Sequence, residues 1–175
     1  MEKKFIMTAF SKDRPGVVAD ITEVIYENGC NLEDSTMTSI LDEFAIILLF
    51  IGKGDRLKDQ LLKDCRRLER EKGITAFIRS VEPEDKEKQI DFFTKTINVE
   101  GIDQAGIVFK VSRFLANNNI NIENLTSRRI TSPESGTVIY FMEIHIQIPK
   151  KISLEYLESE LSQVGEELNL DITVR

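Results

Sequence analysis

Two four-residue segments, Asp13-Arg14-Pro15-Gly16 and Asp103-Gln104-Ala105-Gly106, have the composition of a loop that leaves a strand and opens a helix. Such a loop presents unpaired backbone N–H groups at the positive end of a helix dipole, and Gly16, lacking a side chain, lets a small anion approach the backbone. A carboxylate fits there. An α-amino group on the same ligand needs acceptors, which Asp13 and the side-chain oxygen of Asn31 can supply if the helix end lies beside the loop of a neighbouring unit.

Other chemistry finds less support. The single histidine, His145, has no candidate nucleophile at a suggestive spacing, and the chain has no G-x-S-x-G, P-loop, G-x-G-x-x-G or H-E-x-x-H. No enzyme is expected. Cys30 and Cys65 lie 35 residues apart with no C-x-x-C, so neither a disulfide framework nor a Cys/His zinc site is expected, and both thiols read as small core residues. His145 shares a strand face with Glu143 and Gln147 and reads as a surface or interface residue, with no metal and no cofactor expected.

Charge narrows the partners. The 175 residues carry 23 Lys plus Arg against 30 Asp plus Glu, a formal net charge of −7, whereas binding a polyphosphate calls for the opposite surplus. The acidity is spread, with 13 basic and 15 acidic residues in 1–82 and 10 and 15 in 83–175. Direct nucleic-acid binding is disfavoured. No window approaches 18 uncharged apolar residues and the first residues lack a signal peptide's apolar stretch, so no membrane association and a cytoplasmic location are expected.

The elements that must hold these loops emerge from an internal repeat at an offset of 90 residues. Sliding Asp13 onto Asp103 also matches Gly16 with Gly106, Val18 with Val108, Asn28 with Asn118, Asn31 with Asn121, Glu33 with Glu123, Thr36 with Thr126 and Ile40 with Ile130. In each copy a β-rich run, Phe5–Phe10 or Phe93–Val99, precedes the loop. An apolar stripe at helical spacing follows: Val17, Val18, Ile21, Val24 and Ile25, or Ile107, Val108, Val111, Phe114 and Leu115. Asp13 reads as the helix N-cap with Pro15 in the first turn, and Asn28-Gly29 and Asn117-Asn118-Asn119 read as helix ends. A hairpin (31–40 and 44–51; 121–131 and 137–148), an amphipathic helix and a closing strand (74–81; 170–174) complete each copy.

The expected fold is α+β: two tandem ferredoxin-like βαββαβ domains, each an antiparallel sheet with its helices on one face, spanning 1–82 and 91–175 with a charged linker at 83–90. Phe44–Ile51 is apolar at every position, so both sides of that strand are expected to be covered, which hints at a homodimer. Its counterpart alternates through Ile139, Phe141, Glu143, His145 and Gln147 and has one mixed side.

With its βαββαβ order, D-R-P-G-V-V-A-D-I-T at 13–22 and N-G-C-N-L-E at 28–33, the chain resembles the ACT domain, a regulatory module that commonly binds amino acids at interfaces between units. Two such domains in this length are similar to the glycine cleavage system transcriptional repressor family, free-standing ACT pairs thought to act on a DNA-binding activator and not on DNA. The resemblance implies a small amino-acid ligand, glycine being the candidate, and a protein partner that is a DNA-binding regulator. It assigns ligand binding to Asp13, Arg14, Gly16, Asn28 and Asn31, and more weakly to Asp103, Gly106, Asn118 and Asn121. Gln104-Ala105 departs from the Arg-Pro of the pattern, so the two copies are not expected to bind alike.

Each of these residues also has an architectural reading. Asp13 and Asp103 can be N-caps, Gly16 and Gly106 can permit close helix-to-sheet packing, and Asn28 and Asn118 can end helices. Arg14 and the pair Arg128-Arg129 can be solvated charges. The alternative to a ligand-binding regulator is a structural or oligomerisation module without a small-molecule ligand.

Overall fold

The computed structural model describes residues 2–81 and 91–175, so the expected linker at 83–90 lies outside the described residues. The chain divides into two compact units, 1–85 (unit 1) and 86–175 (unit 2). Unit 1 runs β1 (Glu2–Lys12), α1 (Val17–Glu27), β2 (Asn31–Ile40), β3 (Glu43–Lys53), α2 (Leu57–Lys72) and β4 (Thr75–Val81). Unit 2 repeats the order as β5 (Phe92–Ile102), α3 (Ile107–Asn117), β6 (Asn121–Thr131), β7 (Val138–Pro149), α4 (Leu154–Leu168) and β8 (Leu170–Val174). This is βαββαβ twice, as the repeat implied.

The sheets are antiparallel, in the orders β2-β3-β1-β4 and β6-β7-β5-β8. In unit 1 one parity of each central strand (Phe5, Met7 and Ala9; Phe44, Ile46, Leu48 and Phe50) packs on Ile21, Val24 and Ile25 of α1 and on Leu61, Cys65 and Leu68 of α2. Unit 2 builds the same core from Ile97, Val99, Met142, Ile144 and Ile146 against Val111, Leu115, Leu157 and Leu161. The period-2 burial of the strands thus meets the helical stripe on one side of each sheet. Even the irregularities repeat: the register shifts between Leu32 and Asp34, and again between Ile122 and Asn124, leaving Glu33 and Glu123 in the bulges.

Two sequence readings need correction. The helix does not start at Asp13: α1 begins at Val17 with Gly16 as N-cap, α3 begins at Ile107 with Gly106 as N-cap, and neither has a side-chain cap. Both glycines adopt left-handed geometry, φ 89° and 95°, which strains any residue with a Cβ. That backbone requirement, not close packing, explains the glycines, because a Cβ on Gly106 would meet nothing within 4 Å. Within unit 1 the helices cover one side of β3. Phe44, Ile46, Leu48 and Phe50 are buried, but Ile47 on the opposite side is 52% exposed.

Candidate functional site

The β1–α1 loop is held by the hairpin tip. Asp13 donates its backbone N–H to the Asp42 carbonyl at 2.8 Å, and its Oδ2 accepts from Ser39 Oγ at 2.6 Å. In unit 2 Asp103 donates to the Val138 carbonyl at 3.0 Å, and its Oδ2 takes the Arg129 guanidinium at 2.7 Å. Ser39 and Arg129 occupy equivalent repeat positions. The carboxylate therefore pins the loop to β2 or β6 instead of capping the helix. Beside it Lys12 pairs with Asp42 at 2.8 Å and Glu43 at 2.5 Å, and these two acceptors, Asp42 first, hold its ammonium above the usual lysine range.

The loop's fourth residue opens the helix. Residues 13–16 are all exposed, and among the described residues beyond its chain neighbours a Cβ placed on Gly16 would meet an Arg14 guanidinium nitrogen, at 3.8 Å. Arg14 folds along the first helical turn, its other terminal nitrogen 2.6 Å from Asp20 Oδ2, while Lys72 reaches Asp20 Oδ1 at 3.1 Å from the last turn of α2. Arg14 and then Lys72 hold the Asp20 carboxyl below its usual range. Two cations on one carboxylate leave a net positive charge beside the positive end of α1. An incoming carboxylate meets a left-handed glycine, exposed backbone and a guanidinium whose terminal nitrogens donate to Asp20 and, at 3.4 Å, to the Pro15 carbonyl.

Unit 2 lacks that cation. Gln104, at the position of Arg14, donates a short hydrogen bond from Nε2 to the Leu168 carbonyl at the end of α4. The side chain ties a loop to a helix end, and the cations near the N-terminus of α3 are Arg129, held by Asp103, and Lys110 in the first turn, 3.8 Å from Glu167.

The asparagines lie elsewhere. Asn28 is the C-cap of α1, and its amide donates to the Val24 carbonyl and to Asp64 Oδ2, both at 2.8 Å. Asn118 donates to the Phe114 carbonyl at 3.0 Å. Asn31 and Asn121 start β2 and β6, and Asn121 reaches Gln147 Oε1 at 3.4 Å. The 11 residues of α1 put about 18 Å between Gly16 and Asn28. Eight residues of strand put roughly 26 Å between Ser39 and Asn31. The structure thus brings Asp13, Arg14 and Gly16 together and sets Asn28 and Asn31 at the far end of the same sheet; unit 2 divides Asp103 and Gly106 from Asn118 and Asn121 likewise.

Sequence reading missed Ser39, Arg129, Asp20 and Lys72. The first two escape because equivalent positions hold unlike residue types, which leaves no identity to find. The Arg128-Arg129 pair is not simply solvated: Arg129 binds Asp103, and Arg128 lies over the Phe141 ring at 5.6 Å. The cysteines do not offer nucleophiles. Burial, and secondarily the charge of Asp64, pushes the Cys65 thiol up to about 11, and burial raises that of Cys30. His145 contacts Thr96 Oγ1 at 3.1 Å and Glu143 Oε1 at 3.3 Å. A depression of about 640 Å³ on the sheet of unit 2, lined by Glu100, Arg128, Phe141 and Asp171 among others, contains none of the nine candidate residues. Among the described residues no helix is long and apolar enough to cross a membrane.

Comparison with known proteins places one family match in each half of the chain. Two family models, each described as an ACT domain, match residues 3–79 and 95–152. The glycine cleavage system transcriptional repressor of Escherichia coli is 43% identical over 47 residues, which are 27% of this chain and 25% of that protein. The aligned segment thus spans only a quarter of that relative. A UPF0237 protein of Methanopyrus kandleri is 29% identical over 75 residues, 42% of this chain and 83% of that one. Among solved structures, a protein of unknown function from Galdieria sulphuraria superposes with TM-score 0.81 at 25% identity, covering 100% of this chain and 98% of the other. A structure provisionally assigned as a glycine cleavage system transcriptional repressor superposes with TM-score 0.71 at 19% identity, covering 100% and 97%, which is a likeness of fold.

Proposed function

The chain belongs to the ACT domain family, one domain in each half, and from that premise we propose that it is a non-catalytic regulatory protein that binds a small amino acid and passes its occupancy to a partner protein. The observation that supports this reading best is the arrangement at Gly16: a left-handed N-cap without side-chain cap, exposed, with the Arg14 guanidinium at its edge. The ligand carboxylate takes the N-terminus of α1 and Arg14, and Asp13 accepts from the ammonium. Asn28 and Asn31 do not touch the same small ligand from within the unit. With Gln104 in place of the cation, unit 2 binds more weakly.

Glycine is the ligand to try first, supported by the name of the Escherichia coli relative and by a loop with no side-chain pocket around it. The output passes through protein contact, because a net charge of −7 opposes direct DNA binding and leaves that role to a DNA-binding regulator. Ligand shifts the population of the partner-binding state by its difference in affinity between states, and a coupling of about 1–3 kcal/mol is enough for regulation. Calorimetric titration of the full chain with glycine, serine, alanine and larger amino acids tests the reading. Saturable heat with at least one small amino acid is expected; no heat with any of them overturns it, and a mobility shift of bare duplex DNA removes the need for the partner.

A further inference from the structure

The open faces of the two sheets, built on one plan, have diverged into opposite surfaces. Residues directly opposite in an antiparallel ladder share a face, so the pairings define rows running across each sheet. On the side of unit 1 away from its helices the rows are Thr38-Ala45-Phe10-Thr75, Thr36-Ile47-Thr8-Phe77, Asp34-Leu49-Ile6-Arg79 and Asn31-Ile51-Lys4-Val81. The equivalent rows of unit 2 begin Arg128-Phe141-Glu100-Asp171 and Thr126-Glu143-Asn98-Thr173, followed by Asn124-His145-Thr96. Position for position, Phe10 is replaced by Glu100, Ile47 by Glu143, Leu49 by His145 and Ile6 by Thr96.

One scaffold therefore carries a polar version of this face, suited to water, and an apolar version that is not. In the apolar version Phe77 is 62% and Phe10 46% exposed, and their rings touch at 6.1 Å between centroids. A contiguous apolar sheet face of this kind marks an interface. Its charges say what covers it. The flanking rows hold Lys12 paired with Glu43 and Lys53 paired with Glu2, Lys4 is engaged by Glu33 at 2.8 Å, and Asp34 and Arg79 sit at opposite ends of one row.

We propose that this face of unit 1 is the dimer interface of the protein, covered by the same face of a second copy of the chain related by a two-fold axis parallel to the strands. Such an axis reverses the strand order, laying β2 of each copy over β4 of the other. Asp34 then faces Arg79 of the partner in the same row, twice, while Leu49 lies over the partner's Ile6 and Ile47 over the partner's Thr8 in the middle. Packed sheets lie about 10 Å apart with interdigitating side chains, a separation these isoleucines and phenylalanines fill. Four strands about 4.8 Å apart and some eight residues long present about 500 Å² per copy, so the pair reaches the ~1,000 Å² that specific interfaces need. The rim pairs set orientation more than affinity. A face like that of unit 2 is a poor match, because covering Ile47 with Glu143 buries an unpaired charge.

Sedimentation velocity of the full chain over a range of concentrations tests this. The wild type is expected to be a dimer. Ile47→Glu, which copies unit 2 at an exposed position, is expected to weaken dimerisation by tenfold or more with an unchanged circular dichroism spectrum. Asp34→Arg and Arg79→Asp are each expected to weaken the dimer several-fold, and the double variant to recover it. A monomeric wild type, or a dimer indifferent to Ile47→Glu, overturns the interface; single charge variants that the double variant fails to rescue overturn the axis.

Discussion

Asp13 Oδ2 accepts a hydrogen bond from Ser39 Oγ at 2.6 Å, and 90 residues later Asp103 makes the same tie with Arg129, at 2.7 Å. One carboxylate position thus fastens the β1–α1 loop to the neighbouring strand by a neutral donor in one unit and a cation in the other. The loop is positioned by the sheet, and the helix N-terminus is left uncapped for another group.

Removing either donor should cost little, because both are exposed. Ser39→Ala and Arg129→Ala are each expected to lower stability by about 0.2–1 kcal/mol in denaturant titrations. Salt separates them: the Arg129→Ala cost is expected to shrink as ionic strength rises, and the Ser39→Ala cost to stay put. Equal salt dependence in both would contradict the ionic tie in unit 2.

Gly106→Ala isolates the cost of the left-handed N-cap, since the added methyl meets nothing. A loss of about 1–2 kcal/mol is expected from the backbone alone. Gly106→Asn is expected to recover part of it, because asparagine tolerates that region better. An alanine variant as stable as the wild type would contradict the φ of 95°.

Cys65 sets a pH dependence. Burial, with the charge of Asp64, pushes the folded thiol up to about 11 from the 9.0 of a solvated cysteine, so the folded state holds its proton more tightly. The stability this contributes is complete below pH 9 and is lost as pH rises towards 11. The stability difference between the wild type and Cys65→Ala, measured from pH 8 to 11, is expected to move in favour of the variant as pH rises. Alkylation by iodoacetamide at pH 8 is expected to be far slower in the native protein than in denaturant.

The duplication was legible because its signals are local: the Asp-to-Gly spacing, the helical stripes and the asparagines at helix ends all recur at one offset. The N-cap was misread for a physical reason. Asp13 before Pro15 has the composition of a helix start, but a left-handed Gly16 intervenes, and the carboxylate finds its donor on β2, 26 residues away. Long-range partners of unlike type, such as Ser39 against Arg129, leave no trace in a repeat. The candidate site was half legible for the same reason. Motif residues adjacent in sequence, Asp13, Arg14 and Gly16, stay together, whereas Asn28 and Asn31 are carried to the far end of the sheet by the helix between them. The apolar run at 44–51 was read correctly as two apolar sides, yet the chain's own helices cover one of them.

Titration calorimetry of the wild type, Arg14→Ala and Gln104→Ala with glycine tests the central claim most directly. The account expects a carboxylate held by Arg14 at the N-terminus of α1: binding weakened at least tenfold in Arg14→Ala and unchanged in Gln104→Ala. Glycine bound equally well by all three proteins would contradict it.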